Sequence, residues 1–146
     1  MREILFRGKR IDNGEWVFGY YIKATHNWNE KGIHEDWIAT DTVQNGGWCN
    51  VRGKHAVDPS TVGQFTGLTD KNGKKIFEGD FVKEQDVVHN GEIQIPGHIF
   101  SVVMRNGCWC VIPIYDTDEW DFLNSYLPFL EVIGNIHDNS ELLKEA

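Results

Sequence analysis

Glycine breaks this chain at short intervals, and that spacing most narrowly limits what it can fold into. Asn-Gly steps at 13–14, 45–46, 72–73 and 106–107 separate short apolar and aromatic runs. Asn and Gly tolerate the positive φ that two-residue hairpin turns require, whereas each step would interrupt a helix of ordinary length. Almost no 3.6-residue periodicity survives between the glycines. The chain is therefore expected to be mainly β, with two or three short helices.

The strands follow from the turns. Ile4-Leu5-Phe6-Arg7 is expected to pair with residues 15 to 23 across Asp12-Asn13-Gly14, and alternation then puts Trp16, Phe18, Tyr20 and Ile22 on one face. Residues 37 to 43 turn at Asn45-Gly46-Gly47 into Trp48-Cys49-Asn50-Val51, while residues 24 to 36 are polar, lack a repeat and read as a variable segment. The clearest hairpin joins residues 98–105 to residues 108–115 across Asn106-Gly107. Pro113 cannot donate to a ladder and so marks an edge or an end of that strand. Residues 130–136 read as a last strand and residues 139–143 as a capped terminal helix.

Residues 57 to 83 carry the densest set of signals. Asp58-Pro59-Ser60-Thr61 is a helix start, with Asp58 able to cap and Pro59 preset for the first position, and Gly63 limits it to about one turn. Asp70-Lys71-Asn72-Gly73 makes another turn, and Ile76-Phe77 leads through Glu78-Gly79-Asp80 into Phe81-Val82-Lys83. A Gly that permits a bend beside an Asp that bonds nearby amides is also how small SH3-like barrels enter their first strand. Five or so short strands between 76 and 136 could close a partly open barrel of that kind, with the N-terminal hairpin as an extension. The candidate binding residues lie in this block: Gln64, Thr66, Asp70, Asn72, Gly73, Glu78, Gly79 and Asp80. Turn geometry alone also accounts for residues of these types. No linker or repeat divides the 146 residues, so one domain over 1–146 is expected.

Charge and composition exclude several classes. A net charge of −8 opposes nonspecific affinity for a phosphate backbone. The small basic groupings, Lys71, Lys74 and Lys75, then Arg7, Lys9 and Arg10, sit around turns and read as solvated loops, so nucleic acid is not the expected partner. No apolar run is long enough to cross a bilayer and the N-terminus lacks a secretory apolar region, which sets the expectation at a cytoplasmic protein with no membrane partner. Three cysteines without an export signal argue against a disulfide framework. Cys108 and Cys110 could bind a metal only with help from Cys49, His55, His89 or His98, and no C-x-x-C spacing exists. Buried thiols, no metal and no cofactor are the expectation. In Asp116-Thr117-Asp118-Glu119-Trp120-Asp121, Trp120 occupies a ligand position of a calcium loop and no Gly follows. That stretch reads instead as a short helix capped by Thr117, with Asp118 and Glu119 in its first turn.

The opening R-E-I-L-F-R-G-K-R, the central T-V-G-Q-F-T-G-L-T-D-K-N-G-K-K-I-F-E-G-D-F-V and the closing L-E-V-I-G-N-I-H-D-N-S-E-L-L resemble the YopX family of phage and prophage proteins. The resemblance spans essentially the whole chain, with residues 24–56 and 84–128 less diagnostic. It departs at His137-Asp138-Asn139-Ser140, where family members often carry a Tyr and a Pro. The resemblance implies a phage or prophage origin, a bacterial cytoplasm and a mostly β fold, and it implies no activity and no catalytic residues.

Two function classes follow. The first is a non-enzymatic accessory module that meets a protein partner or forms a homo-oligomer through aromatic surface, with Trp28, Trp37 and Trp48 as its candidate anchors. The second is a small hydrolase or nuclease-like enzyme, in which carboxylates such as Asp80, Asp116 and Asp118 converge with His98. A pocket lined by acids and His would favour it, and scattered carboxylates would not. A nucleic-acid-binding SH3-like face is a further alternative.

Overall fold

Gly14, at φ 71°, closes the first hairpin, and its N–H bonds the Arg10 carbonyl at 2.9 Å. The strands β1 (Phe6–Lys9) and β2 (Trp16–Ile22) pair antiparallel, with Phe6 opposite Gly19 and Lys9 opposite Trp16. This is a computed structural model, and it describes residues 3–23, 35–45, 48–115 and 118–144. The chain divides into two units, Met1–Phe65 and Thr66–Ala146.

In the first unit β3 (Trp37–Asn45) and β4 (Trp48–Ala56) form the expected second hairpin, in register from Trp37 opposite Ala56 to Asn45 opposite Trp48. The strand order is β4-β3-β2-β1, and Gly63 and Gln64, at the start of β5 (Gly63–Thr69), continue it beside β1. Alternation in β2 turns Val17 inward, where it packs with Ile38 and Val57 against Phe6, Tyr21 and Val62. The stripe of Trp16, Phe18, Tyr20 and Ile22 faces the other way, with Phe18 and Tyr20 exposed. Asp58 caps a 3₁₀ turn over Pro59–Thr61 by accepting the Ser60 N–H at 3.0 Å, as the Asp-Pro signal predicts.

The second unit holds β6 (Lys75–Phe77), β7 (Asp80–Glu84), β8 (Val87–His89), β9 (Glu92–Ile95), β10 (Ile99–Arg105), β11 (Cys108–Pro113), β12 (Asp121–Phe122), β13 (Leu130–Asn135) and α1 (Glu141–Lys144). Its main sheet runs β12-β11-β10-β7-β13, while β8 and β9 pair as a separate hairpin. One face of the main sheet carries Val82, Phe100, Val102 and Val111, which bury Ile76, Leu123 and Leu130 into one core. Asn106 and Gly107, both at positive φ, close the β10–β11 hairpin, and β11 ends at Pro113.

The mainly β expectation holds, with 55% strand and 10% helix, and the antiparallel sheets are not closed into a barrel. Three local expectations need correction or fall away. No helix forms over the described part of 117–121, because Asp121 and Phe122 are drawn into the sheet opposite Val111 and Cys110, and Leu123 drops into the core. Cys110 is buried but Cys108 is exposed, since Cys108 sits at the turn end of its strand. Residues 24–34 of the 24–36 variable segment, Trp28 among them, Asp116, Thr117 and the side chains of Trp48 and Cys49 lie outside the described residues. Among the described residues no helix is long and apolar enough to cross a membrane.

Candidate functional site

The central block is built from polar groups that tie backbone to backbone. Asp70 is buried and its carboxylate accepts three N–H groups: Oδ1 from Asn72 at 2.8 Å and Lys74 at 2.9 Å, Oδ2 from Val132 at 2.9 Å. Thr66, also buried, donates to the Ile76 carbonyl at 2.8 Å and accepts from Leu68. Asp80 caps its own turn by accepting the Phe77 N–H at 2.7 Å, and Gly79 at φ 88° makes that turn possible. Glu78 is half-buried, and burial raises its pKa. Asn72 and Gly73 occupy an exposed turn tip, and Gln64 is a half-buried strand residue opposite Phe6. None of these residues lines either of the two cavities described below.

A different set of residues converges. On β10 and its neighbours, the positions facing the core continue past its end. Val102 stands opposite Val111, and Phe100 stands between Val82 and Pro113. Two residues before Phe100 lies His98, whose carbonyl accepts the Glu84 N–H and whose Nδ1 lies 3.4 Å from Glu84 Oε2. The apolar face thus opens into a cavity of about 500 Å³. Phe100, Val111 and Pro113 form its floor, and Tyr115, Trp120 and Tyr126 are its aromatic walls. The rings support one another: His98 and Tyr115 are 5.7 Å apart, and Phe100 and Tyr126 5.4 Å. At 5.6 Å, Trp120 stands edge-on to Phe122.

Glu84, Asp118, Glu119 and Asp121 complete the lining, and among its described residues there is no Lys, Arg, Ser, Thr or Cys. The electrostatic consequence is visible at Tyr126. Burial pushes its phenol up, and the charges of Asp121, Glu84 and Glu119 and a hydrogen bond to Asp121 push it the same way. The charge is also segregated along the chain. The first unit has eight Lys and Arg against eight Asp and Glu, and the second six against fourteen, so the second carries all of the −8. Four carboxylates around low-dielectric aromatic walls focus a negative field into the cavity.

Of the enzyme candidates, His98 and Asp118 meet in this pocket, whereas Asp80 is buried in its turn and Asp116 lies outside the described residues. Glu84, Glu119, Asp121 and the three rings escaped the sequence reading. For Tyr115, Glu119, Trp120 and Asp121 the signal is the acidic-aromatic run at 115–121, which a helix assignment hides; Glu84 and Tyr126 carry no local signal. Of the proposed aromatic anchors only Trp37 is described. It is half-buried, donates from Nε1 to Glu35 at 2.8 Å and lies under Lys54 Nζ at 4.1 Å. Trp16 is likewise stacked, with the Arg7 guanidinium at 4.7 Å and Lys9 Nζ at 5.4 Å from its ring centre. No cluster of three or more His, Cys, Asp or Glu able to hold a metal occurs among the described residues.

The chain is similar to a solved structure, protein EF1440 from Enterococcus faecalis, at 22% identity and a TM-score of 0.58, over 98% of this chain and 99% of that one. That likeness is one of fold. No curated protein matches the chain. The model of the YopX protein family matches residues 5–144, and the chain belongs to that family.

Proposed function

We propose that this chain is a phage or prophage accessory protein acting as a non-enzymatic interaction module, and that its acidic aromatic pocket holds a cationic group of a protein partner. The observation that carries this reading is the lining itself: four carboxylates and three aromatic walls with no Lys or Arg among its described residues, and the Arg105 guanidinium, 5.9 Å from the Trp120 ring centre, shows the kind of contact a guanidinium can make at its rim. A guanidinium or ammonium gains twice in such a site, from charge pairing and from the ring faces, and gains most where the walls exclude water. The segregation of all net negative charge in the unit that contains the pocket favours the same ligand sign.

The test uses N-acetyl-arginine amide against its neutral isostere N-acetyl-citrulline amide, followed through the Trp120 indole resonance. Saturable binding of the arginine probe near 1 mM corresponds to about 4 kcal/mol, a plausible scale for one side chain. Asp121→Asn and, followed through the Tyr126 ring resonances, Trp120→Ala should each weaken it about fivefold, roughly 1 kcal/mol. Equal binding of the citrulline probe would end the reading.

A second reading, acid–base hydrolysis, is favoured by the Glu84–His98 contact at 3.4 Å beside Asp118. It requires an activity on ester or phosphodiester substrates that disappears in His98→Ala while the arginine probe still binds.

A further inference from the structure

The last pair of the β10–β11 ladder divides two cavities. Phe100 stands opposite Pro113, and the Ile114 N–H donates to the Ile99 carbonyl at 3.1 Å, so the ladder carries on until the His98 and Tyr115 rings meet 5.7 Å apart. Side chains alternate along it. His98 and Tyr115 therefore fall on the side of Phe100 and Pro113 and line the acidic pocket, whereas Ile99 and Ile114 point the other way. On that other side lies a second cavity of about 520 Å³, which His98 and Tyr115 line as well. Both cavities lie wholly within the second unit. The His98 side chain is 53% exposed and Tyr115 54%, so together they form a ridge standing in solvent between two openings.

The two cavities differ in chemistry. Four carboxylates line the first, and among the described residues lining the second there is no Asp, Glu, Lys or Arg. Ile95 and Pro96 reach the second from the end of β9, Ile114 from the sheet and Leu142 from α1. The wall at Ile95–Gly97 is pinned to β7. Asp86 Oδ1 accepts the Gly97 N–H at 2.7 Å, and a Cβ at Gly97 would fall 1.8 Å from the Glu84 carbonyl oxygen. A cavity of roughly 150 Å³ holds one benzene, so an aliphatic side chain fits here, whereas a charged one would lose hydration and gain no partner. Charge decides between occupants of the whole region. The second unit carries all of the −8, which repels an acidic chain or a second copy and draws in a basic segment.

We infer that the two cavities form one recognition site, and that the partner is an extended segment with a cationic residue in the acidic pocket and an aliphatic residue two positions away in the second cavity. The inference rests on the cationic reading of the acidic pocket and adds the neighbour which that cation must have. The ridge sets the spacing. A side chain packed on each side of one ring lies about 3.5–4.0 Å from it, which puts the two guests roughly 7–8 Å apart. An extended chain advances about 6.6 Å over two residues and points both side chains the same way, so it sits astride the ridge. Adjacent residues advance only about 3.3 Å and point to opposite sides, so they do not.

The experiment titrates three blocked peptides into the full chain, followed by NMR at the Trp120 indole and the Leu142 methyl groups. N-acetyl-Leu-Ser-Arg-Ser-Leu amide places a leucine two positions from the arginine on either side, so either chain direction serves. Its isomer N-acetyl-Ser-Leu-Arg-Leu-Ser amide keeps the composition and makes the leucines adjacent, and N-acetyl-Ala-Ser-Arg-Ser-Ala amide removes them. The first should bind about five- to tenfold more tightly than the other two, the gain of a leucine roughly half enclosed. It should shift the Leu142 methyl resonances as well as the Trp120 indole. Leu142→Ser and, separately, Ile95→Ser should each bring it down to the level of the alanine peptide. The ratio between the leucine and alanine peptides should hold from low to high salt, because salt screens only the share of the arginine. Equal binding of the three peptides, an unmoved Leu142, full affinity in either variant, or a ratio that collapses in salt would each overturn the linked site. If N-acetyl-arginine amide still binds in that case, the cationic reading of the acidic pocket stands without it; if the amide does not bind, both fall.

Discussion

Replacing Asp70 with Asn should destabilise the second unit by about 2–4 kcal/mol. The carboxylate is buried and accepts from Asn72, Lys74 and Val132, so it fastens its own turn to a strand 62 residues further along the chain. Asn can keep Oδ1 facing the two local donors, at a loss of roughly 0.5–1 kcal/mol each as charge-assisted bonds become neutral ones. Its amide nitrogen must then point at the Val132 N–H, leaving two donors face to face at a further cost of about 1–2 kcal/mol. For a chain of this size that is a fall in melting temperature of roughly 5–15 °C.

The pH dependence separates this account from simple loss of packing. Burial works to raise the Asp70 pKa, and the N–H groups of Val132, Lys74 and Asn72 outweigh it, holding the carboxyl below its ordinary 3.8. A depressed folded pKa gives stability that is fully present above the unfolded value and is lost as pH falls through the folded one. The gap between wild type and Asp70→Asn should therefore be widest at neutral pH and narrow below about pH 4. Urea unfolding of both proteins from neutral to acid pH measures it. A difference under about 1 kcal/mol at neutral pH, or one that does not shrink in acid, would refute the argument.

Three further predictions rest on single contacts. The Tyr21 hydroxyl donates to the buried carboxylate of Asp36, and burial, that bond and the Asp36 charge together push the phenol up to about 12. Its contribution is fully present below about pH 10 and lost as pH rises toward 12. Ultraviolet titration should show Tyr21 and Tyr126 both late, and the one near 12 should vanish in Tyr21→Phe, a variant less stable by about 1.5–3 kcal/mol at neutral pH; an unchanged titration would assign that group elsewhere. Gly19→Ala should be far more damaging, at about 3 kcal/mol or more, since its Cβ would sit 2.0 Å from the Ala39 carbonyl oxygen and β2 and β3 would have to separate; a near-native melting temperature would contradict the close approach. Burial, with Cys108 beside it, raises the Cys110 pKa. In Cys108→Ser, peptide mapping after thiol labelling should find Cys110 unmodified until denaturant is added.

The legibility of this fold follows the length of its apolar runs. Turns at Asn13-Gly14, Asn72-Gly73 and Asn106-Gly107 and the Asp58-Pro59 cap could be read because each rests on local backbone geometry that one or two residues decide. Strand β5 was missed because Gly63 and Gly67 break its pattern, and its Thr66 is held by a side-chain bond that alternation cannot foresee. The β8–β9 hairpin was missed despite Asn90-Gly91, since its alternation is blurred by a register shift between Val87 and Val88.

The pocket was hidden for a deeper reason. Its aromatic floor and the core are one face of one sheet, and only the pairing of β7, β10 and β11 places Glu84 and His98 at the end of the Val102–Phe100 row. In sequence, Phe100 and Val111 read as core, and as floor residues that is what they remain. What turns core into pocket is that residues 118–121 fail to become a helix. Because β12 holds Asp121 and Phe122 against β11, the acidic run is laid across the open end of the face rather than wound on itself. An apolar substitution at Asp121 should therefore leave the fold intact, since Asp121 is exposed, and empty the pocket of part of its field. In Asp121→Leu the Tyr126 phenol should titrate at lower pH than in the wild type, because a neighbouring charge and a hydrogen-bond acceptor have gone. A Tyr126 titration that does not move would place the carboxylates too far from the ring to act together on any cationic guest.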